Sequence, residues 1–257
     1  ALQIIHCLVL DYLPDDVQRL RDKGVKFDAL DAKVYFALEN NFITSSKPHC
    51  SFLYSCFMGI HYSDTVSFIT FKEGQLKLAD FGNAVHCGTV GSTSYQVTRY
   101  YRPPELLFGS TVLTPAIGHV WSAACVTYDF ITARPLFKGR SSEDQVKIIV
   151  DVFGYPSYEE VKAMQCSRPR VHRCSARGLA KFVGAGFNEK ALALLQDVLV
   201  YDPAKRKTAA QVMRHDYFDD LRKIPAPIRS NNKPIPQLEM EKWRGKSLEC
   251  DEEEEPS

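Results

Sequence analysis

The residues with the clearest chemistry lie between Gly74 and Leu106, in the run GQLKLADFGNAVHCGTVGSTSYQVTRYYRPPEL. Leu76-Lys77-Leu78-Ala79 alternates apolar and polar, the pattern of a half-buried strand. Asp80-Phe81-Gly82 follows at once. A carboxylate at a strand end is placed to hold a hard cation, which takes oxygen ligands, and the glycine lets the chain turn sharply behind it. Asp80 is open to a second reading, as a structural acid that binds nothing. A polar stretch, Gly88 to Ser94, then reads as a loop, and the run closes on Arg99-Tyr100-Tyr101-Arg102-Pro103-Pro104-Glu105-Leu106. His49, Cys50, Cys56 and His61 are metal-ligand types, but their spacing fits no common zinc pattern. Free thiols in or near a core are the expectation there.

Around this run the chain predicts mostly helices. Residues 2–10 suit a buried strand. Asp15 to Arg21 suits a short polar helix, and Phe27 to Leu38 a longer one with Asp28 as its cap. The segment 39–52, ENNFITSSKPHCSF, is rich in residues that disfavour helix and reads as an insertion. Val120 to Ile131 is apolar almost all round, which predicts a buried central helix. Ser141 to Met164 predicts a helix ending at Gly154, a turn through Pro156 and a second helix. Phe187 to Val200 is amphipathic, with Ala191, Leu192, Leu194, Leu195, Val198 and Leu199 on one side. Residues 166–184 carry Arg168, Arg170, Arg173 and Arg177 with no aromatic residue between them, so a solvated loop is expected there rather than a nucleic-acid surface. Residues 223–257 turn Pro-rich and then acidic, finishing in Asp251 and Glu252 to Glu255, and are expected to be disordered.

Composition narrows the class. The chain has 257 residues, 45% apolar and 25% charged, an ordinary globular balance. A net charge of +1 gives no bulk case for nucleic acid or an anionic membrane. No apolar run is long enough to span a bilayer, and the first residues lack the head and cleavage site of a secretory leader. The eight cysteines form no C-x-x-C pair, which suggests a reducing compartment, cytoplasmic or nuclear.

The strand, the D-F-G, the polar loop and the P-P-E occur in the order of a protein kinase activation segment. Ser94-Tyr95-Gln96-Val97-Thr98-Arg99-Tyr100-Tyr101-Arg102 and the earlier Leu8-Val9-Leu10-Asp11-Tyr12-Leu13-Pro14 resemble the glycogen synthase kinase-3 family, of the CMGC serine/threonine kinases. Thr114 to Gly139 resembles the family's T-x-x-I-D-V-W-S-A-G-C helix and its P-L-F-x-G end. Asp202-Pro203-Ala204-Lys205-Arg206-Lys207-Thr208 and His215-Asp216-Tyr217-Phe218 resemble its closing motifs. The resemblance implies a mainly α fold (an α+β kinase-like fold), with residues 1–222 as the helical C-terminal lobe and 1–14 as the last N-lobe strand and hinge. It implies ATP and Mg2+ as cofactors, with Leu10 behind the adenine site and the backbone of Asp11 and Leu13 at the adenine edge. Asp80 would be the metal ligand, Tyr95 an activating phosphosite or a plain exposed tyrosine, and Thr98 part of the substrate pocket. Glu105 would pair with Arg206 to pin the segment to the lobe. In this family the region of residues 166–184 docks scaffold helices, so a protein partner is also implied.

Several parts of the family pattern have no match. The Gly-rich loop and the phosphate-binding lysine would precede Ala1, so the N-lobe is expected to be nearly absent. Aligned backwards from Asp80 and forwards from His61, the eight residues of H-R-D-x-K-P-x-N drop out between Val66 and Ser67. That loop carries the base, the lysine and the metal-binding asparagine. A rival register makes Asp64 the base, but puts Val66 and Ile69 at the lysine and asparagine positions. His119, after an extra Gly118, replaces the aspartate that would hold the loop backbone. Val85 stands where the family carries one of three cations for a pre-phosphorylated substrate. Two functions stay open: a pseudokinase or fragment acting as scaffold or decoy, and an active serine/threonine kinase whose sequence here is truncated and mis-spliced. The echo of Asn41-Phe42-Ile43-Thr44 in Ser67-Phe68-Ile69-Thr70 fits the second. A third possibility is a remnant that does not fold alone.

Overall fold

The computed structural model describes residues 17–34, 69–70, 76–77, 98–111, 115–223, 225–228, 232, 234 and 235. Among these, helices dominate, and the regular strands are a single antiparallel pair, β1 (Ile69–Thr70) and β2 (Leu76–Lys77), with Ile69 opposite Lys77. The helices are α1 (Val17–Asp22), α2 (29–34), α3 (Pro104–Leu107), α4 (Pro115–Thr132), α5 (Ser142–Phe153), α6 (Tyr158–Ala163), α7 (Leu179–Val183), α8 (Glu189–Val198) and α9 (Ala209–Met213). No described helix is long and apolar enough to cross a membrane.

Helix α4 is the axle. Every side chain from Val120 to Phe130 is buried. A helix apolar all round has no solvent face to keep, so it packs on every side. Two of its hydroxyls are paired: the Thr127 hydroxyl donates to the Ala123 carbonyl at 2.8 Å, and the Ser122 hydroxyl to the Tyr101 carbonyl at 2.9 Å. Trp121, Phe137, Phe153, Phe182 and Tyr201 form a chain of ring contacts with centroids 5.7–6.0 Å apart. Such pairs add to simple area burial.

The other helices begin and end where their local chemistry dictates. The Asp28 carboxylate accepts from the Asp31 amide at 2.7 Å and so caps α2. Ser141 caps α5 through the Asp144 amide, and Gly154, at φ 84°, closes it in the left-handed region that a side chain resists. Ser157 with Glu160, and Thr208 with Gln211, form reciprocal capping boxes on α6 and α9. Asn188 caps α8, which buries Ala191, Leu194, Leu195 and Val198. Gly139 is required for a different reason. A Cβ there would lie 2.5 Å from the Gln145 backbone nitrogen, because its amide donates to the buried Gln145 side chain at 2.8 Å.

The Pro-rich start of the tail folds back in part. Ile228 bridges to Pro234, the Ile235 amide donates to the Pro227 carbonyl at 3.1 Å, and Ile235 is buried in the core cluster. One apolar side chain with a core seat outweighs the polar composition of its neighbours. The acidic run and the insertion at 39–52 lie outside the described residues.

Candidate functional site

The run from Thr98 to Ser110 descends onto α4 and is fixed at three points. A 3-10 turn, Arg99–Tyr101, starts it, with the Tyr101 amide donating to the Thr98 carbonyl at 3.0 Å. The Tyr101 hydroxyl donates to Asp129 Oδ2 at 2.8 Å, inside the core. Burial above all, and then the Asp129 charge, push the Tyr101 pKa far above its ordinary value. Arg21 of α1 reaches the same aspartate at 3.2 Å and the carbonyls of Asp129 and Phe130 at 3.0 and 3.2 Å. A cation at the C-terminal end of α4 also suits the helix dipole.

The third point is an ion pair. Pro103 and Pro104 start α3 and set Glu105 in its first turn. Glu105 accepts from Arg206 Nη1 at 2.8 Å and Nη2 at 2.7 Å, a bidentate fork. Two further guanidinium donors go to the carbonyls of Val200, at 2.9 Å, and Tyr201, at 3.2 Å. The guanidinium also lies over the Trp121 ring, 5.1 Å from its centroid. The arginine side chain is 1% exposed and the glutamate 10%, so the pair is shielded from water. This site fastens a backbone.

Of the residues singled out by sequence, the structure brings Glu105 and Arg206 together and leaves Thr98 half-buried at the start of the 3-10 turn. Leu10, Asp11, Leu13, Asp64, Asp80 and Tyr95 lie outside the described residues. Among the described residues, no three His, Cys, Asp or Glu side chains converge as a metal site. Cys125 is buried, Cys166 half-buried and Cys174 exposed, all as free thiols. Burial pushes the Cys166 thiol up to about 11, away from reactivity.

A second feature lies in the basic run, which sequence reasoning read as a solvated loop and the family resemblance as a docking region. A polar cleft of about 570 Å³ lies between the start of α6 and the basic loop, lined by Tyr155, Ser157, Tyr158, Arg168, Arg173 and Cys174 among others. Arg168 sits over the Tyr158 ring at 5.8 Å and Arg173 over the Tyr155 ring at 5.2 Å. The aromatic residues that the basic run lacks in sequence are supplied by α6 and the turn before it.

Comparison with known proteins gives these features a family. A profile of the protein kinase domain matches residues 58–218. A Caenorhabditis elegans protein that carries the name of a serine/threonine-protein kinase, gskl-1, is 44% identical over 242 residues, covering 92% of this chain and 64% of its own length. Protein kinase gsk31 of Schizosaccharomyces pombe is 36% identical over 224 residues, covering 84% of this chain and 57% of the relative. Protein kinase gsk3 of the same yeast is 37% identical over 166 residues, covering 63% and 43%. The chain thus spans less than two thirds of the length of these relatives. With a matching domain profile and a described fold of nearly all helix, the chain belongs to the protein kinase family, and within it is similar to kinases of the glycogen synthase kinase-3 type.

Proposed function

We propose that this chain is a kinase-like protein impaired in phosphoryl transfer, which acts through its surface as a scaffold or decoy for protein partners in the cytoplasm or nucleus. One contrast carries the reading. The Glu105–Arg206 fork that pins the activation segment is intact, with both ends buried. The sequence that should hold the base, the phosphate-steadying lysine and the metal-binding asparagine has no lysine or asparagine at those positions in either register. ATP and Mg2+ serve the protein kinase family at large, and of the groups that meet metal in that family, only Asp80 remains legible here.

The rival reading is an active serine/threonine kinase, and one observation favours it. The domain match starts at residue 58, ahead of Gly59-Ile60-His61-Tyr62-Ser63-Asp64, and so keeps Asp64 in contention as the base. A melting experiment with saturating magnesium-ATP separates the two. A nucleotide at about 100 times its Kd adds about 2.7 kcal/mol, several degrees in a domain of this size. The impaired reading expects a shift below about 1 °C and no transfer of labelled phosphate to protein substrates. A clear upward shift, together with transfer abolished by Asp64→Asn, would establish the active reading instead.

A further inference from the structure

The cleft between α6 and the basic loop lies in the region where the family resemblance places partner docking, and it is a built site. The loop is stapled to the end of α5 through its backbone. The Tyr155 amide donates to the Cys174 carbonyl at 3.1 Å, the Arg177 amide to the Asp151 carbonyl at 2.8 Å and the Gly178 amide to the Val152 carbonyl at 2.9 Å. The Tyr155 hydroxyl donates to the Pro169 carbonyl at 3.1 Å, and the Cys174 thiol to the Val150 carbonyl at 3.4 Å. Walls held this way need little ordering when something binds.

Its charge is one-sided. Arg168 and Arg173 line it, and no acidic side chain does. Each guanidinium lies over a tyrosine ring, at cation–π distance. Among the described residues, neither has a carboxylate partner. A guanidinium over a ring still has N–H donors to offer, in a fork that matches carboxylates. Tyr158, a wall of the cleft, is 64% exposed, unusual for so large a ring. A docking helix would want an apolar stripe; this cleft asks for carboxylates on an extended chain.

The same polypeptide carries such a segment. Asp251-Glu252-Glu253-Glu254-Glu255 is its densest run of acid, and Cys250 directly precedes it. Ile235 is anchored in the core. From there to Asp251 the tether is about 16 residues, with a contour of about 50 Å and a typical span of roughly 20–25 Å, enough to reach across a domain of this size. A tether of that length holds the acids at an effective concentration on the order of millimolar, so weak individual pairs suffice. We propose that the acidic segment 251–255 docks in cis in the cleft, its carboxylates on Arg168 and Arg173. The contact does not depend on whether the chain transfers phosphate.

Two native thiols report on it, because Cys174 lines the cleft and Cys250 adjoins the acids. A disulfide needs Cα atoms within about 7 Å. Brief diamide oxidation of the full chain, followed by peptide mass spectrometry, should give an intramolecular Cys174–Cys250 disulfide. The double variant R168E/R173E should lower its yield at least about fivefold, as should about 1 M salt, which shortens screening to about 3 Å. Replacing residues 251–255 by lysine in that double variant should restore the yield; rescue on the same altered cleft separates lost docking from lost folding. A yield indifferent to charge reversal, pairing of Cys250 with other thiols at equal frequency, or disulfide found only in dimers would each overturn the proposal.

Discussion

Arg206 makes four hydrogen bonds to described residues and a ring contact, from a side chain that is 1% exposed. Its removal strands the Glu105 carboxylate in a dry site. Arg206→Met should therefore cost about 3–5 kcal/mol in urea unfolding. Glu105→Leu combined with Arg206→Met should recover much of that loss, since an apolar pair leaves no buried charge behind. Equal cost for the single and double variants would show that the pair itself, not the orphaned charge, sets the energy. Glu105 and Arg206 are 101 residues apart, and nothing local in the sequence links them. Only the family resemblance placed them together. Arg21 and Asp129, 108 residues apart, had no such guide, because an arginine in a short polar helix looks like any solvated arginine.

At the scale of elements, capping chemistry was the most legible signal. Asp28 as a cap, the helix end at Gly154 and the Pro156 turn were readable because such signals are satisfied within a few residues. The pairing of Arg168 with Tyr158 and of Arg173 with Tyr155 was not, since it depends on how α6 lies against the loop. The last 3-10 helix, Asp216–Arg222, makes a prediction of its own. His215 caps it by accepting from the Tyr217 amide through Nδ1 at 3.1 Å, which requires that nitrogen to be unprotonated. Burial first, and then Lys207, lower the His215 pKa, against the opposing pull of Asp197, Asp216 and Asp219. A depressed folded-state pKa means that the unfolded chain takes up the proton more readily. The stability this contributes is complete above about pH 6.5 and drains as pH falls through the lower folded value. Urea midpoints should decline over that window. His215→Asn, which keeps an acceptor without a proton to gain, should flatten the decline.

At the scale of the whole molecule, the described fold is a set of helices wound about α4, closed at one place by a returning strap. Ile235 fills a core seat that the helices leave open. Ending the chain before Pro225 should cost about 1.5–3 kcal/mol, the worth of one buried aliphatic side chain. Ending it after Ile235 should change stability by less than about 0.5 kcal/mol. Thermal melts of the two truncations, side by side with the full chain, test the difference. Composition had suggested a featureless tail, because average polarity hides a single residue with a place to go.

The position of Trp121 gives the molecule a built-in optical gauge. Its indole lies under the Arg206 guanidinium, so its emission senses whether that cation is seated. The chain has two tryptophans, and Trp243→Phe leaves Trp121 as the sole emitter. A change in its fluorescence that precedes the far-ultraviolet transition would then time the release of the Pro103–Glu105 corner while the surrounding helices still stand.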